Sequence, residues 1–268
     1  MADASTDDRA REVWARLSAV TDPELDESVT ELGFVRHVRA DAAGDVAISF
    51  RLPTYWCAAN FAFMMTEDLR RAALSLPWVR RVSLTIDEHM YADAINRGMA
   101  DGLSFEQAFP REASADLSAV RRTFEIKAFQ RRQEALLRDL LDAGQAPSSV
   151  VAMTVMDLRS LGGRLIDRYL EKRDVAASAT DDDPAFVDVG GQALDPHRLS
   201  DYLRDLRRVT INTEFNGALC RGLLAARYDD APHDTSQPGT SGDTPQPGLL
   251  HFIRDYQQAT KRPGAGRA

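Results

Sequence analysis

The chain has 268 residues, of which 44% are hydrophobic and 28% charged, enough to bury a substantial core and to fill two domains, which excludes a disordered protein. Its formal net charge of -8 divides as -5 over residues 1–90, -2 over 91–228 and -1 over 229–268. No segment carries the basic excess of a nucleic-acid binder, and no apolar run reaches the length of a membrane span, so neither partner is expected.

The start of the chain, Met1-Ala2-Asp3-Ala4-Ser5-Thr6-Asp7-Asp8, is acidic and lacks the basic n-region and apolar run of a signal peptide. With two cysteines, Cys57 and Cys220, there is no disulfide framework, and a reducing, cytoplasmic location is expected. Residues 8–20 are predicted to be a helix with Val13, Trp14, Leu17 and Val20 on one face, closed by Asp22-Pro23 because the residue before proline is pushed out of helical geometry. Residues 32–39 and 45–52 read as the two strands of a hairpin, with Val46, Ile48, Phe50 and Leu52 alternating onto the buried side. A helix over 58–75 with Phe61, Met64, Met65, Leu69, Ala72 and Leu76 at helical spacing, then a strand over 78–86, complete a three-stranded α+β unit.

From Met90 the period becomes helical. A long amphipathic helix is predicted over 117–143 with Gly144 ending it, another from Ser149 to Gly162-Gly163, and further helix over 164–177. Residues 185–194 suit a small hairpin across Gly190-Gly191, and Asp195-Pro196 is an N-cap and first-turn proline for a helical stretch over 196–228 that is expected to contain a break. Residues 229–248, rich in Pro, Gly, Ser, Thr and Asp, are predicted to be a flexible linker before a short apolar helix and tail at 249–268. The expected organisation is therefore a small helix-hairpin-helix-strand domain (1–90), a mostly helical domain (91–228), the linker and the tail.

Chemistry-bearing residues are few. Cys57, in Arg51-Leu52-Pro53-Thr54-Tyr55-Trp56-Cys57-Ala58-Ala59-Asn60, sits where a strand gives way to a helix, and a helix N-terminus is expected to lower a thiol's pKa and favour the metal-binding thiolate. Tyr55 and Trp56 are expected either to shield a ligand bound at Cys57 or to plug a domain interface, with the second favoured because large aromatics usually pack. Cys220 reads as core packing, and His37, His89 and His197 as surface or interface residues without metal-ligand spacing. The basic face of Arg121, Arg122, Lys127, Arg131, Arg132 and Arg138 reads as a solvated surface.

Asp22-Pro23-Glu24, Leu32-Gly33-Phe34-Val35, the hairpin, the cysteine at the turn and Trp78-Val79-Arg80-Arg81-Val82 together resemble the metal-sulfur cluster assembly domain family, found also in PaaD-like oxygenase maturation factors and cytosolic iron-sulfur targeting proteins. The resemblance covers residues 8–88. Pro53 stands where the family usually has Thr, Trp56 where it has a small residue, and Ala58 where it has Pro. The resemblance implies transient binding of iron or an iron-sulfur cluster at Cys57. A lone thiol leaves coordination positions open to a client, a second subunit or a small thiol. Asp22 and Glu24 are candidate oxygen ligands, and Asp22 also fits a plain turn role.

The resulting expectation is a non-enzymatic maturation factor that delivers iron or an iron-sulfur species to a client apo-protein, such as a multicomponent iron-dependent monooxygenase, alongside other iron-sulfur assembly proteins. A homodimer would supply further ligands. The competing expectation is a chaperone-like adaptor whose N-terminal domain is a degenerate scaffold. A thiol hydrolase ranks last, for want of a base set beside the thiol.

Overall fold

The computed structural model describes residues 4–111 and 117–228. The predicted linker at 229–248 and tail helix at 249–268 lie outside the described residues. Helix α1 (Ala4–Leu17) leads through a loop into strands β1 (Val35–Ala40) and β2 (Asp45–Arg51), then α2 (Ala59–Leu74), β3 (Arg81–Asp87), α3 (Ala92–Asp101) and α4 (Phe105–Ala108). Among the described residues of the second half the elements are α5 (Leu117–Asp142), α6 (Pro147–Val151), α7 (Val155–Leu161), α8 (Arg164–Arg173), a 3-10 turn over Pro196–Arg198 and α9 (Leu199–Tyr228), which runs without the break expected of that stretch. The chain is thus α+β at its N-terminal end and helical after it.

The three strands form one mixed sheet in the order β1-β2-β3. β1 and β2 are antiparallel, with Val38 opposite Ile48, whereas β2 and β3 run parallel, with Ile48 opposite Leu84 and Phe50 opposite Ile86. Parallel neighbours need a long crossover, and α2 is that crossover. The turn before β2 is closed by Gly44 at φ +90°, where a Cβ would come within 2.5 Å of the Trp78 carbonyl oxygen. The Arg80 N–H donates to the Gly44 oxygen at 2.8 Å, so residues 78–80 form a turn docked on the hairpin and β3 starts later than the sequence pattern suggests. Only glycine combines that left-handed φ with so close an approach.

The first core contains the side chains expected from the alternation of β2, with Val46, Ile48, Phe50 and Leu52 all buried, joined by Val13, Leu17, Phe63, Met65 and Leu69. It continues past residue 90: Ile95, Met99, Phe105 and Phe109 belong to it, and Phe105 and Phe109 meet Phe63 edge-on at 5.5 and 6.2 Å between ring centroids. Ser104 starts α4 with a capping box, its hydroxyl accepting from the Gln107 N–H while the Gln107 side chain accepts from the Ser104 N–H.

The second core is built on a stack of Phe129, Tyr169 and Phe186, with Leu136, Leu137, Leu158, Leu199 and Leu206 around it. Its interior also holds polar groups, each spent on the non-helical segment between α8 and α9. Tyr169 donates its hydroxyl to the Ala185 oxygen at 2.7 Å, Gln133 donates to the Val187 oxygen at 2.8 Å, and Arg173 donates to the oxygens of Ala185, Pro184 and Ala177. Buried carbonyls outside regular structure need donors, and these three side chains supply them. The segment turns at Gly191 with a bridge between Val187 and Ala193, a minimal form of the predicted hairpin.

The basic face of α5 departs from the solvated surface that the charge pattern suggests. Lys127 and Arg122 are exposed, but Arg132 is buried in a two-pronged pair with Asp26, Nε to Oδ2 and Nη2 to Oδ1 both at 2.7 Å. Arg131 donates to the Leu25 oxygen, and Arg121 pairs with Asp68 and Glu67 of α2. Guanidinium groups on long stems reach the carboxylates and carbonyls of the other half, a tertiary match that helical periodicity does not encode. Among the described residues no helix is long and apolar enough to cross a membrane.

Candidate functional site

β2 is followed by two buried residues, Leu52 and Pro53, and the chain turns through Thr54, Tyr55 and Trp56 to Cys57, two residues before α2 begins. The turn is pinned from the far end of β3. The Met90 N–H donates to the Tyr55 oxygen at 2.9 Å, and the buried His89 places Nε2 2.8 Å from the Cys57 oxygen. Because His89 Nδ1 accepts the Tyr91 N–H, the ring's proton sits on Nε2 and donates to Cys57. Burial and the nearby Arg227 hold the His89 pKa below its usual value, which keeps this neutral form in place. His89, expected at the surface or at an interface, is instead a buried positioning residue for the thiol's backbone; only its place at a strand end hinted at this.

Tyr55 and Trp56 do not plug an interface: they are 52% and 70% exposed. Trp56 instead forms one edge of a cavity of about 340 Å³ beside the thiol, with Met90, Tyr91, Phe105 and Leu117 on its other walls.

The loop 22–27 closes the other side. Asp22 Oδ1 accepts the N–H groups of Glu24 and Leu25 at 2.9 and 2.8 Å, the turn role expected for it. Glu24 Oε1 accepts from Asn216 Nδ2 of α9 at 2.8 Å. Both carboxylates lie near enough to Cys57 to oppose its ionisation, so Cys57, Asp22 and Glu24 share one end of the domain. Burial raises the Asp22 carboxyl from 3.8 to about 6, against the lowering effect of its two backbone bonds.

The expected lowering of the thiol's pKa is overturned. Cys57 is half-buried and its pKa is pushed up to about 12, first by burial and then by the charges of Asp22, Cys220 and Glu24; the hydrogen bond from the Ala58 N–H offsets only part. Desolvation and carboxylates both disfavour a thiolate, and here they outweigh the partial positive charge of the α2 start. Cys220 packs on the first core from α9, as expected, and burial with Asp22 and Glu24 lifts its pKa to about 11. Among the described residues no group of three or more His, Cys, Asp or Glu side chains is placed to hold a metal ion unaided.

Residues 10–84 match the family described as iron-sulfur cluster assembly protein. The chain is 28% identical over 100 residues to the chloroplastic Fe-S cluster assembly factor HCF101 of Oryza sativa subsp. japonica, covering 37% of this chain and 19% of that protein, so it spans about a fifth of that relative's length. It is 28% identical over 85 residues to an uncharacterized protein of Methanocaldococcus jannaschii, covering 32% of this chain and 87% of that one. A solved structure of a domain of unknown function, DUF59, from Bacillus anthracis is similar at 23% identity and a TM-score of 0.30, covering 37% of this chain and 97% of that one. The likeness to iron-sulfur cluster assembly proteins thus belongs to the segment that holds Asp22, Glu24 and Cys57.

Proposed function

We propose that the protein is a non-enzymatic maturation factor: the N-terminal domain takes iron or an iron-sulfur species as cargo on Cys57, and the helical half docks the client apo-protein that receives it. The observation that carries this reading is the position of Cys57, at the β2-to-α2 turn inside the segment that matches iron-sulfur cluster assembly proteins. Binding iron requires the thiol to lose its proton, and burial beside Asp22 and Glu24 resists that loss at neutral pH. Cargo is thus held weakly, which suits handover rather than storage. The exposed Tyr55, Trp56 and Met90 around the adjoining cavity give the client an apolar surface next to the cargo. An iron-dependent oxygenase in the cytoplasm is the client class we favour, with other iron-sulfur assembly proteins as donors.

The test is anaerobic reconstitution of the full chain with ferrous iron and sulfide. Wild type develops sulfur-to-iron charge-transfer absorption and raises the iron content of the client, and Cys57→Ala loses both. Unchanged client iron with Cys57→Ala in cells would sink the reading.

A second reading, a chaperone-like adaptor on a degenerate scaffold, is favoured by one observation: the thiol's raised pKa. It predicts that Cys57→Ala still retains the client in a pull-down while deletion of 229–268 releases it.

A further inference from the structure

Two costly features meet just past the end of β3. Glu88 stands at φ 51°, in the left-handed region that a residue with a Cβ rarely adopts. Arg227, the second-last residue of α9, has a buried Nη1 that finds no hydrogen-bond partner among the described residues. A strained residue persists only where its surroundings fix it, and a buried donor without an acceptor calls for a reason. The two features touch. Arg227 Nη2 donates to the Glu88 carbonyl oxygen at 3.0 Å and to Oε2 at 3.1 Å, and the Tyr228 hydroxyl donates to the same Oε2 at 3.2 Å. Backbone and side chain of Glu88 are thus both held by the last two residues of α9. The ion pair itself contributes little to stability, because Arg227 and Glu88 are 26% and 53% exposed. What the contact provides is geometry.

That geometry is passed to the Cys57 turn from both strand ends. Directly after Glu88, His89 sets Nε2 2.8 Å from the Cys57 oxygen and the Met90 N–H donates to the Tyr55 oxygen at 2.9 Å. A left-handed residue turns the chain sharply, so the φ of Glu88 decides where these next two residues point. On the other side, Arg51 is the last residue of β2, the strand that leads into the turn, and its guanidinium lies over the Tyr228 ring, 4.0 Å from the centroid. We infer that Arg227 and Tyr228 are positioning residues for Cys57: by holding Glu88 in its left-handed conformation they set His89 and Met90 on the turn. A helix rooted in the second core through Leu199 and Leu206 thereby shapes the thiol site of the first. The inference rests on the cargo reading for what the turn is shaped to do, and deepens it by naming the residues that shape it.

The test uses the reduced full chain. With isotope-labelled histidine, the His89 Nε2 proton of wild type gives a slowly exchanging resonance, identified by its absence from His89→Phe, that marks the bond to Cys57. Arg227→Ala loses this resonance and speeds alkylation of Cys57 at fixed pH by about fivefold or more, while the Cys220 rate stays near wild type. Tyr228→Phe, which keeps the ring under Arg51 and drops one bond to Glu88, falls between. When Glu88→Asn is added to Arg227→Ala, both readouts return toward wild type, because asparagine adopts a left-handed φ with less strain. The inference is overturned if Arg227→Ala keeps the resonance and the Cys57 rate, if Cys220 speeds up equally, or if Glu88→Asn restores nothing. Iron uptake separates it from the cargo reading: wild type that takes up no iron on reconstitution, with the other outcomes as stated, removes the cargo and leaves the positioning.

Discussion

The loop from Asp22 to Glu27 is gripped twice by the helical half, and the two grips differ in kind. At its Asp26 corner, α5 and α8 close over a buried pair: the Asp26 and Arg132 side chains are 3% and 7% exposed, and Arg168 donates to the Asp26 oxygen at 2.9 Å. At its outer side, α9 holds Glu24 and Glu27 through Asn216 and Arg221, contacts that water reaches. A buried pair is costly to break because each partner strands the other, whereas a wet ion pair contributes little. The loop is thus fixed at one corner and releasable on its outer side.

The largest effect should come from breaking the fixed corner. Asp26→Ala removes both prongs of the buried pair and leaves Arg132 only the exposed Glu171 carboxylate and the Arg168 carbonyl, so it should cost about 3 kcal/mol in urea denaturation; a loss under ~1 kcal/mol would mean that the two grips do not differ. Asp26 also sits at φ 51°, so Asp26→Asn, which tolerates that backbone and keeps a hydrogen-bond acceptor, should lose less.

Asp22, between the grips, should show in the pH dependence. Its folded-state pKa of about 6 lies above the usual 3.8, so between these values the folded chain binds more protons than the unfolded one. Stability contributed by this group is present below pH ~4 and lost as pH rises through 6. Above pH 6, Asp22→Asn should therefore be more stable than wild type by ~1–3 kcal/mol, with the difference vanishing in acid. A difference that grows toward low pH would refute the assignment.

Releasing the outer grip should barely change stability. Arg221→Ala should cost under ~1 kcal/mol, since both partners are partly exposed. Its signature should instead be chemical: alkylation of Cys57 and Cys220 should speed up several-fold together, as read by mass spectrometry of the two peptides. The smallest perturbation is salt, which screens exposed pairs first. Raising ionic strength should increase both alkylation rates while the denaturation midpoint stays nearly fixed, and a rate rise at one cysteine alone would break the picture of a shared cover.

Much of the first domain is legible in the sequence because its signals are local. The alternation of β2 names its buried side chains, and the Asp22-Pro23 turn and the β2-to-α2 turn place the loop and Cys57. The parts that escape are tertiary. Nothing near Cys220 points to Cys57, because a helix stripe states which side is inward and not what it meets. Arg132 has the same local surroundings as the exposed Arg122 and differs only in facing Asp26. Trp56 is exposed although its type favours packing, since the turn is held by backbone bonds to His89 and Met90 and leaves the indole outside. The direction of the Cys57 pKa shift escapes the sequence for a related reason: the start of α2 is visible in it, but the burial and the carboxylates brought up by a distant loop are not.

α9 is 30 residues of unbroken helix, about 45 Å at 1.5 Å per residue. Such a rod behaves as a lever. With Leu206 as pivot in the second core, Cys220 lies about 21 Å along the arm, so a tilt of roughly 5° moves its sulfur by close to 2 Å. That displacement is large beside the 2.8 and 2.6 Å bonds by which Asn216 and Arg221 hold the loop 22–27. A push on the helical half need not touch the loop 22–27 to loosen it; a few degrees at the pivot is enough to part the outer grip.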